Sequence, residues 1–290
     1  DAQDVSDGCF RFTIGLAKKA LLADALAGLV TGIWGDLASL TVLSAWLGLI
    51  GYALQLYFDF SGYSDMAIGL GRMLGFRFPE NFRYPYLCSS ISDFWRRWHI
   101  SLGSWFKEYL YFPLGGSRTG TLRTLRNLLL VWLATGLWHG ASWNYVLWGL
   151  YFGVLICLEK LLAPRFRAHP RKGLLAELYR PVCLLLAVLG WVLFRAEDLP
   201  AAGRYFACLF GGAAGASAQA RLYLHDFWPV LLLGAVGATP LCAKLAGRLG
   251  AKLQPGVRAA VQAVLVLALL ACNTVWLLNG SFQSFVYFQF

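Results

Sequence analysis

Apolar runs separated by short polar or basic intervals recur along the whole chain. A helix needs about 20 apolar residues to cross a hydrocarbon core roughly 30 Å thick. Runs approaching that length occupy Thr41 to Phe58, Leu128 to Trp138, Trp143 to Leu162, Pro181 to Phe194, Phe227 to Leu245 and Ala259 to Leu278. The shorter of them are expected to tilt or to insert only in part. Phe12 to Trp34 carries Lys18, Lys19 and Asp24 on a semi-apolar pattern and reads as an amphipathic helix or a marginal span. The pattern predicts an all-α fold, a polytopic transmembrane helical bundle.

Between Asp59 and Gly116 the chain is too polar for a simple span and too aromatic for an ordinary loop. Asp59, Asp65, Arg72, Arg77, Glu80, Arg83, Asp93, Arg96 and Arg97 stand there among many Phe, Tyr and Trp. Charged, irregular backbone at membrane depth persists only when it is buried in protein or lines an aqueous cavity, so function is sought in this segment. Asp59 and Asp65 are expected to pair with Arg72, Arg96 or Arg97, because unpaired charge at depth is strongly unfavourable. Further along, Ser92 or Asp93 can cap a helix on which Trp95, Trp98, Leu102, Trp105, Phe106 and Tyr109 recur at helical spacing. Pro113, Gly115 and Gly116 end it, which predicts one interfacial amphipathic helix.

Composition supports bilayer as the solvent. Hydrophobic residues make up 58% and charged residues 14% of the chain, against about half and a quarter in soluble domains. The aromatic share of 16%, with 12 Trp, suits membrane interfaces. A net charge of +10 is compatible with nucleic-acid binding, yet Lys and Arg cluster between the apolar runs, as they do where a membrane protein fixes its orientation. No nucleic-acid partner is expected. The 7 cysteines are scattered, mostly within apolar stretches and without CxxC, and read as small buried apolar residues.

Charge also orders the intervals. Lys160, Arg165, Arg167, Arg171, Lys172 and Arg180 follow the Trp143 run, whereas Arg195 to Asp226 mixes Arg195, Arg204 and Arg221 with Glu197, Asp198 and Asp226. The next interval is purely basic, with Lys244, Arg248, Lys252 and Arg258. An in, out, in alternation follows, leaving Gln283 to Phe290 and the His139 to Ser142 turn external and Arg96 to Arg126 cytoplasmic. No signal peptide precedes the polar sequence at Asp1, and the natural N-terminus is expected further upstream.

Two histidines are candidates for chemistry. His139 ends one apolar run, Ser142 can cap the next, and Thr135, Gly136 and Gly140 leave little bulk near the imidazole except Trp138 and Trp143. An ionisable residue inside a membrane points to function, although the glycines suit close helix packing equally well, with His139 hydrogen-bonding across helices. His99 lies near Trp95, Arg96 and Gly103, close to the apolar stripe, and by itself reads first as a satisfied structural histidine. His169 and His225 fall in polar intervals and read as solvated. The His-x4-Asp pattern of soluble acyltransferases is absent, Ser104 and Asn144 standing where the Asp would be. GxSxG, HExxH and any His and Cys spacing suited to a metal are absent as well, and YFDFSGYSDMAIGLG lacks the Lys of a phosphate loop.

The strings YFDFSGYSDMAIGLGRMLGF, PENFRYPY, FWRRWHISLGSWFKEYLYFPLGGSR, GLWHGASWNYVLWGLYFG and the terminal FVYFQF resemble the membrane-bound O-acyltransferase family, in particular its alginate O-acetylation branch. The similarity is nearly continuous from Gly15 to Leu161 and is one of hydropathy alone from Leu162 to Gly280. It implies a single membrane domain over 1–290, lacking further membrane segments with which family members begin. A polar and aromatic intramembrane segment at 59–116, catalytic-histidine helices at 117–162 and C-terminal transmembrane helices at 163–290 would surround a central tunnel with re-entrant segments and interfacial amphipathic helices. The Trp-His-Gly histidine of the family falls on His139 and the Arg-Trp-His histidine on His99, so both are implied to be catalytic.

What the resemblance implies further is transfer of acetyl from cytoplasmic acetyl-CoA, a substrate and not a bound cofactor, across a bacterial inner membrane onto an exported polysaccharide. Its expected partners are a periplasmic or membrane-tethered protein of the SGNH hydrolase-like type, polysaccharide export machinery and the lipid bilayer. His is the side chain whose proton affinity lies nearest neutrality, so His139 would activate the accepting hydroxyl or carry the acyl group, with His99 orienting the donor or sharing the proton. Trp138, Trp143 and Asn144 would bind substrate, and Arg96 and Arg97 would attract the CoA phosphates, although simple anchoring explains the two arginines equally well. The alternatives are D-alanyl transfer onto teichoic acid, within the same family, and a transporter or flippase with no covalent chemistry.

Overall fold

The computed structural model describes residues 1–118, 120–168 and 174–279, with side chains outside 163–168 and 174–176, and these form helices joined by short connections. In chain order the helices are α1 (Ala2–Ala17), α2 (Asp24–Trp34), α3 (Val42–Met73), α4 (Ile91–Trp95), α5 (Ile100–Phe106), α6 (Thr121–His139), α7 (Trp143–Ala168), α8 (Leu174–Arg195), α9 (Leu199–Leu209), α10 (Ala218–Gly237), α11 (Leu241–Gly250) and α12 (Pro255–Asn279). Six residues of π-helix, Lys18–Ala23, join α1 to α2, so the expected amphipathic element at Phe12 to Trp34 is the later part of a longer helical run. The FVYFQF string, the Gln283 to Phe290 tail, and His169, Arg171 and Lys172 lie outside the described residues.

Four described helices are long and apolar enough to cross a membrane, in α3, α7, α8 and α12, and α10 with α11 makes a fifth if the bent pair counts as one. The apolar run from Phe227 to Leu245 is therefore not one helix: it breaks at Thr239 and Pro240 with a bend of 67°. Pro cannot donate a backbone N–H and clashes with the preceding turn, and Thr239 caps the break by accepting at its hydroxyl from the Leu241 amide. The run from Leu128 to Trp138 lies within α6, whose first turns carry Arg123 and Arg126.

The chain divides into two compact units, one formed by 1–36, 46–80 and 216–290, the other by 37–45 and 81–215. In the first, α1 runs antiparallel to α3, and glycines set seven apart on each helix meet. A Cβ on Gly8 would lie 2.6 Å from the Gly69 carbonyl, and one on Gly15 2.6 Å from that of Gly62. Small residues let backbones approach, and a ladder of ion pairs in the same register closes the contact. Arg11 and Lys18 hold Asp65, Arg11 also reaches Glu80, and Lys19 lies 2.7 Å from both Asp24 and Asp59. Asp59 and Asp65 thus pair with cations of α1 and the π-helical turn, not with Arg72, Arg96 or Arg97 as the sequence suggested. Arg72 pairs with Asp4 and Asp7. With its charges neutralised this way, Asp59 to Met73 continues α3 as regular helix, and irregular backbone begins only beyond Met73. The 32 residues of α3 reach about 48 Å at 1.5 Å per residue.

The second unit is an aromatic core on an antiparallel pair, α6 and α7. Gly136 and Gly149 face each other so closely that a Cβ on either would strike the opposite backbone, at the Tyr145 and Trp132 carbonyls. Gly136, one turn before His139, does serve close helix packing, then, whereas Gly140 just after it lies against the Tyr145 ring. Cys88, Cys157, Cys183 and Cys208 are buried as expected, but Cys242 and Cys272 are exposed, because α11 and α12 present those faces outward; no disulfide links the seven.

Candidate active site

The segment predicted as one amphipathic helix from Ser92 to Pro113 is broken instead. Ser90, not Ser92 or Asp93, caps α4 through the Asp93 amide, and the chain then turns at Arg96 to His99 before α5 begins. His99 is the break, with φ 46° and ψ 55°, the left-handed region that side chains with a Cβ rarely adopt. That backbone is held from outside. The Arg83 amide donates to the Arg97 carbonyl at 2.9 Å and the Ile100 amide to the Asn81 carbonyl at 3.0 Å, clipping residues 81–83 across the turn. Helical spacing in the sequence could not reveal this, since the apolar periodicity runs straight through the break.

Glu159 of α7 anchors the lower end of the segment. Its carboxylate accepts from the Ile91 amide at 2.7 Å, the Ser92 amide at 2.9 Å, the Ser92 hydroxyl at 2.7 Å and the Tyr179 hydroxyl at 2.6 Å. Carboxylate at a helix N-terminus satisfies amides that have no intrahelical acceptor and meets the positive end of the helix dipole. From there α4 climbs alongside α7 toward its start: Trp95 packs on Phe152 and Trp148, Trp98 on Trp191, and His99 lies 6.5 Å from Trp138. The segment therefore reaches the C-terminal end of α6, where His139 is the last residue.

His139 is half-buried in an aromatic cage, with ring centroids at 5.0 Å for Trp138, 5.1 Å for Trp148, 5.1 Å for Phe194 and 6.3 Å for Tyr145. His99 and His139 share the Trp138 ring, at 6.5 Å and 5.0 Å from its centroid. His99 Nδ1 lies 3.3 Å from both Asn81 Oδ1 and Ser101 Oγ. Behind the cage, the indole N–H groups of Trp95, Trp148 and Trp191 meet no acceptor among the described residues, although Trp148 and Trp191 are each only 1% exposed. Buried donors are paired in the great majority of native structures, so three in one cluster are notable.

The remaining predicted residues separate. Trp138 belongs to the cage while 51% exposed, whereas Trp143 is 72% exposed at the start of α7. Asn144 is buried and donates from Nδ2 to the Ala196 carbonyl at 2.6 Å, tying α7 to the end of α8, with Ser142 Oγ capping the Asn144 amide as expected. Arg97 bonds Asp93 and the Arg83 carbonyl, and exposed Arg96 bonds the Ser92 carbonyl. Asn81 and Glu159 were not singled out from sequence; the one signal for Asn81 is its place inside the PENFRYPY string. No three His, Cys, Asp or Glu side chains among the described residues stand together as a metal would require.

Comparison with known proteins now bears on this geometry. The sequence profile of the membrane-bound O-acyltransferase family matches residues 30–187, a stretch that contains both histidines, Asn81 and Glu159. The chain belongs to this family. It is 50% identical over 209 residues, 71% of its length, to the probable alginate O-acetylase AlgI of Pseudomonas fluorescens, covering 40% of that relative. To the peptidoglycan O-acetyltransferase of Helicobacter pylori it is 41% identical over 204 residues, covering 69% of this chain and 38% of the relative. To the teichoic acid D-alanyltransferase of Bacillus subtilis it is 35% identical over 123 residues, covering 40% of this chain and 31% of the relative. The chain thus spans about two fifths of the length of the first two relatives.

Proposed function

We propose that the protein to which this chain belongs is an O-acyltransferase that moves acetyl from cytoplasmic acetyl-CoA to hydroxyl groups of an exported polysaccharide, with His139 at the reacting centre. The observation that carries the reading is the convergence of His139 and His99, two motif histidines from separate elements, on the ring of Trp138. Acyl transfer to a hydroxyl needs a base near neutral pH, which imidazole supplies. His139 takes the hydroxyl proton as the oxygen attacks the thioester carbonyl. The carbonyl oxygen gains negative charge in that step, and buried indole donors suit it. Aromatic walls keep water, a competing acceptor, out. Arg96 is the exposed cation available to CoA phosphate, while Arg97 is engaged by Asp93. The site lies in a bacterial inner membrane, and the acylated product passes to a periplasmic or membrane-tethered partner of the SGNH hydrolase-like type, beside the export machinery, which completes the esterification.

The test is the acetate ester content of exported polysaccharide in cells making the full-length protein, wild type against His139→Ala, at matched membrane levels. A drop of about a hundredfold or more is expected on loss of a general base; unchanged ester would overturn the assignment. The similarity to a teichoic acid D-alanyltransferase favours a second reading, D-alanyl transfer. Offering acetyl-CoA and a D-alanylated carrier protein as rival donors separates the two.

A further inference from the structure

Asn81 Oδ1 receives three neighbours: the Ser101 amide at 3.1 Å, the Ser101 hydroxyl at 3.0 Å and His99 Nδ1 at 3.3 Å. A backbone N–H can only donate, so the Asn81 atom that faces Ser101 is its carbonyl oxygen and not its amide nitrogen. That oxygen only accepts. His99 Nδ1 must then carry the proton it shares with Asn81. The Ser101 hydroxyl agrees: its hydrogen is committed to Asn81, leaving a lone pair toward Nδ1 at 3.3 Å. In the neutral ring the lone pair therefore resides on Nε2.

We propose that Asn81 is a positioning residue that holds His99 as the Nδ1–H tautomer, so that Nε2 is the atom His99 offers as a proton acceptor beside His139. This rests on the acyl-transfer reading of the site. In that reaction Nε2 accepts the hydroxyl proton by way of His139, and the resulting imidazolium keeps its Nδ1–H on Asn81 Oδ1 and Ser101 Oγ. It returns the proton to the departing thiolate, and no other reactant is needed. The same Asn81 fixes the backbone through its carbonyl to the Ile100 amide, so tautomer and ring position come from one residue. Among the described titratable side chains, His139 at the end of α6 shares the Trp138 ring with His99.

The experiment uses full-length protein in membranes. Initial acyl-transfer rates are recorded against pH for wild type, Asn81→Asp and Asn81→Ala at matched protein levels. Asn81→Asp keeps an acceptor oxygen and adds negative charge, which favours imidazolium. It should retain activity within about tenfold, with the acid limb of its profile displaced to higher pH by about one unit. Asn81→Ala should fall further, by about a hundredfold, a loss within the range for misdirected acid–base groups. A wild-type profile in Asn81→Asp, or wild-type rates in Asn81→Ala, would overturn the proposal. Nitrogen NMR of histidine-labelled protein, with His99 assigned from His99→Gln, reads the tautomer without any activity. Protonated Nδ1 in wild type, lost in Asn81→Ala, supports the assignment even if no donor proves active, in which case the acyl-transfer reading alone fails. Protonated Nε2 sinks it whatever the enzyme does.

Discussion

The two units solve the same problem, keeping polar groups inside an apolar protein, in opposite ways. In the first, charge is neutralised by charge: Asp59, 1% exposed, and Lys19, 4% exposed, meet at 2.7 Å, and the paired glycines of α1 and α3 bring the ladder together. In the second, the His139 imidazole sits among aromatic rings, His99 meets Asn81, Ser101 and the Trp138 ring, and three indole donors meet no acceptor among the described residues. Charges that neutralise one another leave little for a ligand to gain by binding. Donors and imidazoles set in rings leave chemistry unspent. The difference directs the search for function to the second unit, where the candidate imidazoles meet rings and not countercharges.

The sharpest way to break that contrast is Lys19→Met. It keeps most of the side-chain length but leaves Asp59 and Asp24 without their shared cation, and breaking a buried pair costs about 3–5 kcal/mol. Much of the folded protein should be lost from detergent extracts, as read by fluorescence-detected size exclusion after a heating series. Should Lys19→Met fold as well as wild type while acyl transfer disappears, the ladder would belong to the chemistry and the contrast would fail.

A smaller effect is expected from Glu159→Gln in the other unit. Gln offers one acceptor oxygen where the carboxylate serves two amides and two hydroxyls, and its amide group adds donors facing donors. Leaving such groups unsatisfied costs about 1–3 kcal/mol. The start of α4 should loosen, lowering the acyl-transfer rate several-fold with a modest fall in melting temperature. If the melting temperature falls and the rate does not, the anchoring of α4 matters to the fold alone.

Much of this was legible in the sequence. The apolar runs at Trp143 to Leu162 and Pro181 to Phe194 became α7 and α8, since a bilayer demands apolar length and helix satisfies its own backbone. His139 was singled out because an ionisable residue inside a membrane points to function, although its glycines suited close helix packing equally well. What escaped depends on long-range contact. Nothing local says that Asp65 meets Arg11 and Lys18, or that Glu159 caps a helix 67 residues earlier. The break at His99 escaped for a related reason: its left-handed backbone is imposed by residues 81–83, and helical periodicity cannot see an outside clamp. The seven-residue spacing of Gly8 and Gly15 on α1, and of Gly62 and Gly69 on α3, was not singled out, because only the facing helix gives it a meaning.

The finest test of the contrast concerns the indole donors. Replacing Trp148 by benzothienylalanine exchanges the N–H for sulfur at nearly constant shape, so packing against His139 at 5.1 Å and Phe152 at 5.5 Å is retained. A buried donor without a partner destabilises the fold, and its removal should leave the melting temperature unchanged or raise it slightly. If the donor serves the acyl oxygen in the transition state, the rate should nevertheless fall about tenfold, equivalent to about 1.4 kcal/mol. Stability and rate then move in opposite directions, which loss of packing cannot produce because packing defects lower both. A raised melting temperature with an undiminished rate would mean that the cage merely fills space, and that the second unit, like the first, carries its buried groups for structure.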